Sequence, residues 1–146
     1  MIGILKDLNI SILTYTPHRG SEKTGKGKAQ LPEHFPNVSH ILRKLPKNEA
    51  FYFFTSIGNY TGTVATSLKE FLDKIREVEV KSLEFHLYRG DFEKWVAEII
   101  GDKELAEQIR KLKDQNLTGE NLRNQLHLII SKRCEMQVFS RKMLHN

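Results

Sequence analysis

One cysteine in 146 residues, Cys134, excludes an internal disulfide and points to a reducing compartment. Long apolar runs are also missing: nothing approaches the roughly 18–20 residues needed to span a bilayer. The start, MIGILKDLNISILTY, is hydrophobic but broken by Lys6, Asp7 and Asn9, and no small-residue cleavage site follows. It reads as neither signal peptide nor anchor, so the expectation is a cytoplasmic chain without membrane contact. Tryptophan occurs once, as Trp95, and prolines number four. Three of those prolines, Pro17, Pro32 and Pro36, fall with Gly20, Gly25 and Gly27 in a polar, Lys-rich stretch that reads as loop or disorder. No internal repeat or extended low-complexity tract stands out.

What is present is an uneven charge. The net charge is +5. Residues 1–50 carry 8 Lys/Arg and 4 Asp/Glu, residues 51–107 carry 7 and 11, and residues 108–146 carry 8 and 3. Basic ends around an acidic middle fit a chain that meets RNA, a ribosomal subunit or another polyanion through its termini. Solvated helix faces with a basic tail give the same pattern.

Local signals divide the chain into an N-terminal extension over 1–44, partly disordered, and a single helical domain over 45–146. Asn9–Thr16 is β-branched enough for a strand, and Val38–Leu45 suits a short helix before Pro46. Ala50–Ile57, AFYFFTSI, is dense in aromatics and favours a strand. Gly58–Gly62 reads as a turn that exposes Tyr60 and Thr61, with a short extended piece at Thr63–Thr66. Ser67 with Glu70 makes a capping box for a helix carrying Leu68, Phe71, Leu72 and Ile75 and ending near Val78. Ser82 opens a helix that ends at Gly90, Asp91 the next, with Phe92, Trp95, Val96 and Ile99 in one stripe. Asp102 starts a helix with Leu105, Ile109 and Leu112. Thr118 is the expected cap of a long last helix whose apolar face is Leu122, Leu126, Ile129 and Ile130. The fold class predicted is α+β, mainly helical: four to five helices with one short aromatic strand or hairpin.

No motif assembles reaction chemistry. Gly20–Gly27, GSEKTGKG, is one residue from a P-loop, but Gly27 stands where a hydroxyl should hold magnesium, and Pro32 interrupts the helix that should follow. The histidines lack zinc-site spacing and Cys134 has no partner cysteine, so no metal and no cofactor is expected. Cys134 and His127 lie seven residues apart on one helix, about 10 Å along its axis, too far for a nucleophile and its base. Asp91 and Glu93 fit the first turn of a helix, where acidic residues suit the dipole. The Arg89-Gly90-Asp91 adhesion tripeptide is a coincidence of that helix start. Phe51–Phe54 would serve either as a stacking platform for single-stranded RNA or, the favoured reading, as core. His86 and Arg89 remain: they sit on adjacent turns of one helix face with room for a shared pocket.

The block KNEAFYFFTSIGNYTGTVATSLKEFL followed by SLEFHLYRGDFEKWVAEIIGDKELAEQI resembles a domain family of unknown function found in archaea and bacteria. The matching features are Phe51, Phe53, Phe54, Gly58, Thr61-Gly62, Ala65, Ser67-Leu68, Ser82-Leu83, Phe85-His86, Arg89-Gly90-Asp91-Phe92, Trp95 and Gly101-Asp102. The resemblance covers about Leu45 to Ile130; the first 44 residues and Cys134–Asn146 fall outside the pattern. It implies a domain that stands alone or is attached to sugar-transferring enzymes, and it carries over no catalytic residue.

Three functions are weighed. The first is a non-enzymatic binding or regulatory protein, a homodimer paired through the last helix and associated with RNA or the ribosome. Its binding candidates are His86, Arg89, Tyr60, Arg110, Lys111, Lys132, Arg133, Arg141 and Lys142. The second is a regulatory or docking module for sugar transferases, meeting a protein partner through an acidic Asp91–Glu107 face. The third is an enzyme of unrecognised type built on His86, Arg89 and Asp91. The absence of a working catalytic constellation favours a non-enzyme.

Overall fold

The computed structural model describes residues 38–144. The strand expected at Asn9–Thr16, the 17–37 loop and the Gly20–Gly27 stretch lie outside them.

Aromatic and β-branched density drives β1 (Phe51–Ser56), which pairs antiparallel with β2 (Asn59–Ala65). The reversal is tighter than the sequence suggests. Gly58, at φ 82°, supplies the left-handed residue, and Ser56 already pairs with Asn59. Tyr60 and Thr61 therefore belong to a strand, not a turn. Between the Tyr52–Val64 and Phe54–Tyr60 pairs β2 bulges at Gly62, and Thr61 Oγ1 donates to the Phe53 carbonyl at 2.8 Å. A bulged outer strand resists pairing with another chain.

Five helices follow: α1 (Leu68–Glu77), α2 (Val80–Arg89), α3 (Asp91–Trp95), α4 (Lys103–Asp114) and α5 (Gly119–Leu144). α1 has its expected cap. Ser67 Oγ accepts from the Glu70 amide at 3.1 Å, and Glu70 Oε1 reaches back to the Thr66 amide at 2.8 Å. At its other end Arg123 donates to the Ile75 and Val78 carbonyls at 2.7 and 2.8 Å, closing orphan acceptors. α3 runs on into a π-helical turn, Val96–Ile100, that stops at Gly101 (φ 91°). Asp102 caps α4 by accepting from the Leu105 amide at 3.0 Å. The amide of Gly119, at the start of α5, donates to Glu84 of α2 at 2.7 Å; the Thr118 contact is the backbone bond from Leu122 to its carbonyl at 3.2 Å.

Two helix starts differ from expectation. Ser82 lies inside α2, which begins at Val80, and is fully buried. Asp91 makes no side-chain cap for α3 and is itself buried. Ser82 bonds across to β1, and Asp91 turns back onto the end of α2.

The core forms where β1 meets the helices. Phe53, Phe71, Phe92 and Trp95 are completely buried, and the Phe51 ring lies 5.0–5.5 Å from all four. Phe51, Phe53 and Phe54 thus face inward and form no stacking platform. Trp95 Nε1 donates to the Glu49 carbonyl at 2.8 Å, so the indole is buried without a stranded donor. Within the stretch assigned to the extension, Ile41 packs into this core, and Arg43 donates to the Ile99 carbonyl at 2.6 Å at the end of the π-turn. Among the described residues no helix is long and apolar enough to cross a membrane.

Candidate functional site

α2 ends at Gly90 in the left-handed conformation (φ 85°), and the chain turns directly into α3. That turn swings Asp91 back against the last turn of α2. Its Oδ2 accepts from both His86 Nδ1, at 2.7 Å, and Arg89 Nε, at 3.0 Å. The other ring nitrogen of His86, Nε2, accepts the Phe54 amide of β1 at 2.8 Å. One turn earlier on the same helix face, Ser82 Oγ donates to the Phe54 carbonyl at 2.8 Å. The two α2 side chains thus satisfy both backbone groups of one strand residue, as a third strand would.

This geometry assigns the histidine tautomer. A backbone amide can only donate, so Nε2 must offer its lone pair and the proton sits on Nδ1, shared toward Asp91. Burial pushes the imidazole below its ordinary pKa, against the opposing pull of the Asp91 carboxylate. His86 is about 2% exposed and Asp91 about 4%, with the Phe51 ring 4.8 Å from the imidazole. Protonating Nε2 would set two donors face to face. A general base needs a lone pair that substrate can reach, and here it is held by the fold. Arg89 alone carries the cluster toward solvent, its guanidinium 5.0 Å over the Phe85 ring. His86 and Arg89 converge on one carboxylate oxygen, Asp91 Oδ2.

The remaining candidates do not converge on one site. Tyr60 is half exposed on β2 and lines a shallow groove of about 400 Å³ with Thr55, Thr63, Glu77 and Glu79. Arg110 on α4 is held by Glu107 at 2.7 Å and Asp114 at 3.4 Å, beside the exposed Lys111. Arg133 is buried on α5. It grips Asp102 at 2.6 and 2.9 Å and reaches Glu104 at 3.1 Å, so it is an internal ion pair and offers no free charge. Lys132, Arg141 and Lys142 are exposed along α5. The acidic Asp91–Glu107 face does not form as expected. Asp91 and Asp102 are buried, Glu93 pairs with Lys113 at 3.1 Å, and Glu107 with Arg110. Among the described residues no group of three or more His, Cys, Asp or Glu is placed to hold a metal ion.

α5 has two apolar faces. Leu122, Leu126 and Ile130 are completely buried against the domain. On another side Met136, Phe139 and Met143 are 56%, 62% and 58% exposed, at i, i+3, i+7 spacing. From Val138 to Met143 every residue is exposed, so this end of the helix stands clear of the packed unit.

His86, Arg89 and Asp91 are all candidates in the sequence, Asp91 also as a simple helix-start acid; the Phe54 tether is not legible there. Its one signal is that Ser82 and His86 are polar residues four apart beside the buried Leu83 and Leu87. Residues 48–145 match a protein family described as "Family of unknown function (DUF5752)". No curated protein and no solved structure matches the chain.

Proposed function

The chain belongs to the DUF5752 family of unknown function, and we propose that it is a non-enzymatic binding and regulatory protein whose contact surface is the outer face of α5. The observation that carries this reading is the exposed Met136–Phe139–Met143 row on a helix whose domain-facing side is already buried. Contiguous exposed apolar side chains on a soluble surface mark contact sites. Methionine adapts to irregular partners, and a central aromatic makes an anchor. The engagement of both His86 nitrogens by the fold supports a non-enzymatic role, and the single, buried Cys134 suits a cytoplasmic setting.

An RNA- or ribosome-associated role draws on Lys111, Lys132 and Lys142, which are exposed. Against it, Arg133 is locked in a buried ion pair with Asp102, and Arg110, although exposed, is already paired with Glu107. A protein partner is the better fit to a surface that is apolar first and basic second.

Affinity purification from cells that make the protein, with and without nuclease, tests this. The expected result is a protein partner that survives nuclease and is lost with Phe139→Asp. Recovery that depends wholly on RNA, or a partner retained by that variant, would overturn the reading.

A further inference from the structure

We propose that a second copy of this chain occupies the outer face of α5, its helix running antiparallel to the first. The inference rests on reading that face as the contact surface and names its occupant. Ile129, Lys132, Met136, Phe139 and Met143 follow one another at alternating spacings of three and four, the a/d pattern of a coiled coil. In this frame Ile129 is half-buried against the domain and the last three positions are free. The stretch from Val138 to Met143 projects about 9 Å beyond the packed unit, so a second helix can approach without meeting the domain.

Charge selects the orientation. Glu135 and Lys142 occupy the same flanking position of successive heptads, and both are exposed. When Met136 of one copy faces Phe139 of the other in antiparallel array, Glu135 comes within two residues, about 3 Å of axial rise, of Lys142 of the second copy. Two-fold symmetry makes that contact twice. A parallel, in-register pair would set Glu135 against Ser140 and lose it. Lys132 falls opposite Met143 of the second copy, at the rim, where its stem covers sulfur and its ammonium reaches water. Three apolar side chains per copy amount to less than a standard interface of about 800 Å² per partner, so the dimer exchanges with monomer and leaves the face available to other proteins.

Sedimentation equilibrium of the full chain, from micromolar to about millimolar concentration, reads this directly. The expected result is a reversible monomer–dimer equilibrium that Phe139→Asp weakens by at least about 30-fold. Phe139 is exposed beyond the packed unit, so unchanged circular dichroism verifies that this variant folds. Glu135→Lys and Lys142→Glu should each weaken the dimer several-fold, and the double exchange should restore it. A monomer at every concentration, a dimer indifferent to Phe139→Asp, or no rescue by the double exchange overturns the proposal. A monomer that still captures a nuclease-resistant protein through Phe139 refutes self-pairing alone, leaving the face to that protein. A dimer that captures nothing else refutes the wider docking role instead.

Discussion

Replacing His86 with Gln should cost about 1–3 kcal/mol at pH 7.5 and flatten the dependence of stability on pH. The imidazole spans two partners, the Phe54 amide at 2.8 Å and Asp91 at 2.7 Å. A glutamine amide can satisfy one of them but lacks the ring geometry to hold both. One buried polar group is then stranded, at about 1–3 kcal/mol. The pH effect follows from the depressed pKa of His86 in the folded state. Because the unfolded histidine takes up its proton near its ordinary value of 6.5 and the folded one resists, the unfolded state binds more protons below that pH. The stabilisation is complete above the unfolded pKa and is lost as pH falls toward the folded one, by at most about 1.4 kcal/mol per pH unit. Between pH 7.5 and 5.5 His86 should therefore make the wild type less stable, within that limiting slope. The pKa values of His40 and His127 are lowered in the same sense, but both are more exposed and leave a smaller residual slope in the variant. Glu70, held down to about 2 first by its Lys44 bond and then by Thr66, does not titrate in this window. Urea melts of both proteins at the two pH values measure the effect. A variant with the wild-type slope, or a wild type more stable at pH 5.5 than at 7.5, would refute the assignment of His86 as a neutral structural group.

Three further outcomes follow from the packing. Arg133→Met should destabilise by about 3–5 kcal/mol in a urea melt, because Asp102 is completely buried and would lose its countercharge; a change under 1 kcal/mol would contradict an internal role. Gly101→Ala should cost about 1–2 kcal/mol in thermal unfolding, since φ is 91° and the new methyl would stand 3.1 Å from His40 Nε2. Burial pushes the Cys134 thiol up to about 11, so a thiol reagent at pH 8 should modify the native protein slowly and the urea-unfolded protein fast; equal rates would disprove that burial.

What could be read from the residues was whatever is settled within one or two turns of chain. The Ser67–Glu70 box, the Asp102 cap and the stops at Gly90 and Gly101 involve near neighbours, and each stands where local rules put it. Ser82 looks like a cap in the sequence because its true partner, the Phe54 carbonyl, lies 28 residues away. Asp91 sits in a helix first turn, which was reason enough for an acid there, and the reach back to His86 depends on the turn at Gly90. The Asp102–Arg133 pair joins residues 31 apart and left Arg133 looking like a free cation. On α5 the buried row Leu122, Leu126 and Ile130 was legible. Met136, Phe139 and Met143 were not, because a second apolar row on the same helix blurs the single stripe that periodicity detects.

His86 serves structure and Phe139 binding, and one comparison separates the two roles. Recovery of partner proteins from native cells, nuclease-treated and at pH 7.5, is measured with the wild type, His86→Gln and Phe139→Asp, all three confirmed folded. The account predicts partners retained by His86→Gln and lost by Phe139→Asp. Loss with His86→Gln and retention with Phe139→Asp would contradict it and return the search for function to the His86–Asp91–Arg89 cluster.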